Sequence, residues 1–435
     1  MTSLRVGIAG LGTVGGAVLQ RLALPPMNRV ASLQTVEVTG VSARHRAGRL
    51  PAGSAVEWYD DAVSLARSPS IDVFVELIGG SDGIAKDAVE AALAAGKSVV
   101  TANKALLAHH GFALAETAEA RNVQLNFEAA VAGGIPVIKT LREGLAGNRI
   151  GRVSGILNGT CNYILSRMDS EGLGFAECLA DAQRLGYAEA DPSFDIDGYD
   201  AAHKLAILAS LAFGTVIDLG AIHVEGIRSI TPDDLRAAAE FGFRVKLLGV
   251  AERTAQGIET RVHPTMVPRG SPLAEIRGVT NAVAITGDAL GDLTLVGAGA
   301  GGGATASAVL SDISDIARGF RLPPFGRPVA SLERVPRVAV QRHEGGYYVR
   351  FSVQDRIGAI AAIATRMAAC QISFESVMQR KLDPAAKAAP EAAGFVPVVL
   401  ITHATTETSI RDALDAVEAD GYIAGKPQLI RIERE

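Results

Sequence analysis

Cysteine is scarce in this 435-residue chain: Cys161, Cys178 and Cys370 form an odd, widely spaced set. The paired spacing of a zinc site or a disulfide framework is missing, so the three are read as reduced, buried thiols. Long apolar runs are missing as well. The longest, residues 205–217, is broken by Ser210, Gly214 and Thr215 and reads as a buried helix too short to span a bilayer. Excess positive charge is absent: 42 basic against 47 acidic side chains give a formal net charge of −5. Such a chain offers no field for a nucleic-acid backbone or an anionic membrane surface, and neither partner is expected. The amino terminus, MTSLRVGIAG, has no charged segment ahead of an apolar one and runs straight into a strand pattern, so a cytoplasmic protein is expected. No Ser/His/Asp order or histidine-metal spacing stands out. His109-His110 read as the start of an exposed polar loop, and His203 as a structural residue.

The length predicts two to four domains. Residues 4–9 form a short apolar run, followed at once by Gly10-Leu11-Gly12-Thr13-Val14-Gly15 and then by apolar residues at helical spacing. Further strands are expected at 36–41, 71–78, 98–101 and 125–127, with a helix at 85–95 among them. Strands alternating with helices imply parallel βαβ units. In that setting Gly10 permits a tight turn, Gly12 lets the backbone approach a pyrophosphate, and Gly15 allows close helix-on-strand packing, the pattern of a Rossmann-type dinucleotide-binding domain. NAD enzymes usually place an acid at the end of the second strand. Here the chain has Ser42-Ala43-Arg44-His45-Arg46, and arginine suits a 2′-phosphate. NADP is therefore preferred, with NAD use left open.

The alternation fades near residue 130, and 131–300 mixes a long apolar helix (201–213) with strand-like runs at 262–267 and 283–286, an α+β substrate domain. A glycine- and alanine-rich run at 297–303 leads into a helix at 304–317, and the segment at about 300–320 is assigned with residues 1–130. Prolines mark 321–345 as a linker. Beyond it, 346–435 reads as a separate βαββα domain with an Ala/Pro-rich loop at 383–393.

Only 9 of the 42 basic residues are lysines, so a lysine in an apolar setting is informative. Lys104 stands at the carboxyl end of the 98–101 strand, where ligands of open α/β sheets bind. Its bland reading is a surface lysine opening a helix. Between Glu189 and Asp200 the chain packs five acids into 12 residues and then enters its apolar helix at Lys204. A calcium loop is excluded: with Gly198 at the sixth position, Lys204 falls at the twelfth, which requires glutamate. Asp200 and Lys204 are either an i, i+4 surface pair or a proton donor beside carboxylates that hold a substrate ammonium.

With Gly10–Gly15, Thr101-Ala-Asn-Lys104, Asn158-Gly-Thr160, the 186–204 segment and the 297–307 run, the chain resembles the long-form homoserine dehydrogenases that carry a C-terminal ACT domain. The resemblance spans essentially the whole chain, and the Glu189, Asp195, Asp200, Lys204 spacing is its specific part. It implies NAD(P)-dependent interconversion of L-homoserine and L-aspartate 4-semialdehyde, feeding threonine and methionine synthesis. Lys204 is then the acid/base at the substrate oxygen, with Lys104 assisting beside the nicotinamide; Glu189 and Asp200 bind the amino acid, and Asp195 supports them. Gly186 and Gly302 lie against the cofactor. It further implies a structural sodium ion near Glu128, Val131, Gly133 and Ile135, and a homodimer or homotetramer. The last domain resembles an ACT module with isoleucine in Asp355-Arg356-Ile357-Gly358 where proline is common. Threonine is its implied effector, and a module that only stabilises oligomers is the alternative. The competing functions are another Rossmann oxidoreductase of an amino-acid semialdehyde, and a non-catalytic amino-acid sensor.

Overall fold

The computed structural model describes residues 3–46, 50, 55–336, 343–379 and 394–433; the Ala/Pro-rich loop lies outside them. β1 (Leu4–Ala9) is buried over its last four residues, and the chain turns at Gly10 into α1 (Thr13–Leu22). Next come β2 (Val36–Ser42), β3 (Glu57–Tyr59), α2 (Ala62–Arg67), β4 (Val73–Glu76), α3 (Ile84–Ala94), β5 (Ser98–Thr101), α4 (Lys104–Ala120) and β6 (Leu125–Asn126). The six strands form one parallel sheet in the order β3-β2-β1-β4-β5-β6. The order reverses between β1 and β4, which opens a crevice at the carboxyl ends of these strands. Register brings those ends level: Ala9 pairs with Ser42 and with Glu76, and Glu76 with Thr101. β4 is shorter than the 71–78 run because Glu76 folds back to accept the N–H groups of Ile78 and Gly79 at 2.7 and 3.0 Å, which turns the chain out of the ladder. His109 and His110 lie within α4 and not in a loop.

After α5 (Val137–Lys139), a single turn running into a π-helical turn at Thr140–Gly144, the chain forms β7 (Ile150–Ile156), α6 (Gly159–Glu171), α7 (Phe175–Arg184), α8 (Ser193–Ile196) and α9 (Tyr199–Phe213). There follow β8 (His223–Val224), α10 (Pro232–Glu240), β9 (Phe243–Thr254), β10 (Gly257–Pro268), α11 (Pro272–Glu275), β11 (Thr280–Gly287) and β12 (Gly291–Ala298). α9 is buried along nearly its whole length against this sheet, and left-handed glycines at Gly198 and Gly214 delimit it. α12 (Gly302–Ala317) returns to the first layer, where Ala306, Val309 and Ile313 share an apolar cluster with Val6, Ile8 and Val18.

The chain closes with β13 (Glu344–Gln354), α13 (Ala359–Ala369), β14 (Phe374–Gln379), β15 (Phe395–Thr402), β16 (Thr405–Thr406), α14 (Glu407–Ala419) and β17 (Gln428–Ile432). β13 alternates: Tyr347, Val349, Phe351 and Val353 pack with Ile363, Met367, Ile410 and Leu414. On its other face Tyr348 and Arg350 donate to Asp234 of α10 at 2.9 and 2.6 Å. β17, a strand beyond the expected βαββα series, pairs antiparallel with β13 and parallel with β10. The second sheet therefore runs without a break as β12-β11-β7-β9-β10-β17-β13-β15-β14. Among the described residues no helix is long and apolar enough to cross a membrane. Cys161 and Cys178 are buried free thiols, and Cys370 is only partly buried.

Candidate active site

The glycine turn is sterically determined. Gly10 has φ +95°, and a Cβ there would sit 2.3 Å from the Leu77 carbonyl oxygen; one on Gly15 would sit 1.9 Å from that of Gly10. Gly12 faces open space, and α1 starts without a side-chain cap, so the free amides at the head of α1 point at the crevice and favour an anion. Gly302 closes on the turn from α12, its Cα packed so near Thr13 that a Cβ would meet that residue at 3.0 Å. A cleft of about 660 Å³ runs from Gly10 and Gly12 past Ser42 and Arg44 to Trp58 and Ile84. Arg44 is exposed at its rim.

A second, larger cleft of about 820 Å³ is lined among others by Val14, Lys104, Gly133, Gly186, Glu189, Asp195, Asp200 and Lys204. Lys104 arrives there by a chain of hydrogen bonds. Thr101 donates to buried Glu76 at 2.5 Å, the Asn103 amide donates to Thr101, and the Asn103 side chain caps α4 at Leu106 while donating to Gly80 O. Lys104 thus heads α4, where the helix dipole disfavours a cation, and the Asp200 carboxylate 3.1 Å away offsets this. Asp200 stands in the first turn of α9, where the dipole favours an acid. One turn on, Lys204 donates to Asp200 Oδ2 at 2.7 Å and to Leu157 O at 2.7 Å. An ammonium has three hydrogens, so one remains for the cleft.

Burial alone would push the Asp200 carboxyl up, but the ammonium groups of Lys204 and Lys104 outweigh it and hold it well below the usual carboxylate range. Asp195 moves the other way, raised by burial and then by the Asp200 charge. Two acids five residues apart are thereby set to different roles. His203 is pushed down to about 4 by burial, then by His109 and Lys104. Its neutral ring packs edge-on to His109 and Phe194, with centroids at 5.3 and 5.2 Å. Gly186 and Glu189 line the exposed side of the cleft.

Asn158 is a hub that sequence reasoning did not single out as a site residue, although the Asn158-Gly-Thr160 motif had marked it. Its amide nitrogen donates to Asp195 Oδ1 and Asp200 Oδ2, both at 2.8 Å, while its oxygen caps α6 at Cys161 N. Thr160 beside it donates to Tyr187 O at 2.6 Å, tying the 186–189 loop to α6.

Of the four residues implied to hold sodium, Gly133 lines the cleft and Glu128 is buried beneath it. The Glu128 oxygens accept from Ile138 N and Lys139 N at 2.9 and 2.8 Å, and its own N–H donates to Asp312. Burial, then the charge of Asp312, raises Glu128 to about 7. Ala132 and Gly133 both have φ +56°, so the loop turns sharply here. The buried Glu128 carboxylate and the backbone carbonyls of this sharply turned loop offer the oxygen donors that suit a hard cation. Among the described residues no group of three or more His, Cys, Asp or Glu side chains could hold a metal.

A dinucleotide crevice that opens onto two lysines sharing one carboxylate defines an NAD(P)-dependent oxidoreductase of a small polar substrate. Family models described as homoserine dehydrogenase and as its NAD-binding domain match residues 136–314 and 10–128. The homoserine dehydrogenase of Pseudomonas aeruginosa is 44% identical over 443 residues, covering 100% of both chains. The chain belongs to the homoserine dehydrogenase family, NAD(P)-dependent oxidoreductases of amino-acid biosynthesis. A crystal structure of a homoserine dehydrogenase from Thiobacillus denitrificans superposes with TM-score 0.91 at 41% identity, covering 100% of this chain and 99% of that one. A hyperthermophilic archaeal homoserine dehydrogenase in complex with NADPH aligns at TM-score 0.62 and 28% identity, over 74% of this chain and 99% of its own.

Proposed function

We propose that the large cleft interconverts L-aspartate 4-semialdehyde and L-homoserine with Lys204 as the acid/base, and the observation that carries this is the Lys204–Asp200–Lys104 arrangement. When bound, NADPH supplies the hydride to the aldehyde carbon. The chain's residues do the rest. Lys204, anchored by Leu157 O and Asp200, turns its remaining N–H to the carbonyl oxygen and gives up that proton as the alkoxide develops; oxidation of homoserine runs the transfer backwards. Lys104 adds a second positive charge at the same oxygen and borders the nicotinamide. Glu189 and Asp200 attract the substrate ammonium, and Asp195 supports Asp200 through Asn158. Incubation with NADPH and L-aspartate 4-semialdehyde should yield L-homoserine; folded protein that binds NADPH but forms no homoserine would contradict the reading.

The turn from Gly10 through Thr13 and Val14 to Gly15 holds the pyrophosphate, with Gly302 and Gly186 against the cofactor. NADP is preferred over NAD, supported by Arg44 at the cleft rim. Arg44→Ala is then expected to raise the Kd for NADPH about tenfold while leaving NADH nearly unchanged, the worth of one charge-assisted phosphate contact. Titration of protein fluorescence with each cofactor measures this, and equal losses would contradict it. Sodium would be held by the Glu128 carboxylate and the carbonyls of Val131, Gly133 and Ile135, where its charge would fix the loop beneath the cleft. The functional units are taken as 1–130 with about 300–320, 131–300, a 321–345 linker and an ACT-like module over 346–435. That module takes threonine as effector, the enzyme is a homodimer or homotetramer, and it works in the cytoplasm.

A further inference from the structure

Asn281 is the second residue of β11 and lines the large cleft, yet only 1% of its surface is exposed. Its carboxamide is wedged against the glycine-rich turn that leads to α12: a Cβ on Gly299 would lie 2.1 Å from both Cγ and Nδ2. On the other side Gly159, at the head of α6, faces its Oδ1. Despite this confinement the Oδ1 atom is buried without a hydrogen-bond partner. Among the described residues it is the one such orphan on a side chain that lines this cleft. An amide oxygen buried without a protein donor is unfavourable, and a ligand N–H would relieve it.

The surroundings select the ligand group. Next to Asn281 the wall is backbone and small side chains, Gly297, Ala298, Ala300 and Gly301, joined to the 129–133 wall by the bond from Gly134 N to Ala298 O at 3.0 Å. No charged residue belongs to that stretch. A substrate ammonium is drawn instead to Asp200 and Glu189, the charged part of the cleft's lining. A neutral carboxamide offers one donor and one acceptor, the complement of another primary amide. We propose that Asn281 holds the carboxamide of the nicotinamide ring through paired amide hydrogen bonds and so sets which face of the ring meets the substrate. This rests on the reading of the cleft as the NADP site.

Asn281→Leu keeps the side chain's shape and removes the orphan oxygen. Equilibrium Kd values are read by fluorescence titration, without substrate, for NADP and for its 3-acetylpyridine analogue, which lacks the amide N–H. The wild-type protein should bind NADP about tenfold tighter than the analogue, the worth of one neutral hydrogen bond. In Asn281→Leu that ratio should fall to near one with no loss of thermal stability, and Asn281→Ser should behave alike if the leucine does not fold. A ratio unchanged by both substitutions, or a rise only in KM for L-homoserine, overturns the proposal. A wild-type protein that binds neither nucleotide would instead overturn the underlying NADP reading.

Discussion

Lys204→Ala is expected to lower kcat for homoserine oxidation about 1,000-fold while leaving the Kd for NADPH unchanged. The size follows from what the ammonium does at the site. It is held by Leu157 O and Asp200 with one hydrogen left for the substrate oxygen, so its removal takes away both a positioned proton and half of the charge facing Asp200. Asp200 keeps Lys104 at 3.1 Å and Asn158 at 2.8 Å, so the carboxylate stays in place and the fold survives. On the proposed reading NADPH meets the glycine turn and the head of α1, which are not among the hydrogen-bond partners of Lys204. Initial rates and a fluorescence titration on the same preparation separate the two quantities. A kcat within about threefold of the wild type would remove Lys204 from the chemistry.

Arg431→Met is expected to destabilise the protein by about 3 kcal/mol without changing the residues of the cleft. Arg431 is 1% exposed and donates to both Glu225 and Glu407, at 2.6 to 3.0 Å. Taking it away leaves fully buried Glu407 with Arg411 as its remaining cation, which places the loss at the lower end of the range for a broken buried pair. Because the Arg431 side chain ties β17 to Glu225 and to Glu407 at the head of α14, the midpoint of denaturant unfolding should fall, and Arg431→Met with Glu407→Gln should recover part of the loss. The same network governs the acid limb. Burial would raise Glu225, but His223 and Arg431 hold it well below the usual range. A carboxyl depressed in the folded state contributes stability above its unfolded pKa, and that contribution is lost as pH falls below about 4.5. The gap between wild type and Arg431→Met should therefore narrow in acid; a constant gap from pH 7 to about 3 would contradict the assignment.

The first βαβ unit was readable because strand, glycine turn and helix are adjacent in the chain, and each element's pattern is local. The 186–204 segment was readable because five acids crowd into 12 residues there and Lys204 is one of only 9 lysines. Asn158 and Asn281 carry no such signal. Their importance arises when the head of α6 meets α8 and α9 and when β11 meets the Gly299 turn, contacts between residues 37 to 42 positions apart in the first case. β17 escaped notice for a related reason. Arg431 is buried between Ile430 and Ile432, tolerable in a sheet because Glu225, 206 residues earlier, and Glu407 pair with it. The His109-His110 pair, followed by Gly111, reads as the break of a helix, yet Gly111 is buried inside α4 with Leu107 and Leu114.

The most direct measurement is rescue of Lys204→Ala by small primary amines. If the lysine's role is to carry a proton at the substrate oxygen, adding methylamine or ethylamine should raise kcat in proportion to amine concentration, following amine basicity once size is allowed for. The wild-type rate should not respond. A variant that loses turnover but shows no amine dependence, with NADPH still bound, would contradict the assignment of Lys204 as the acid/base and leave it a partner that only holds Asp200 in place.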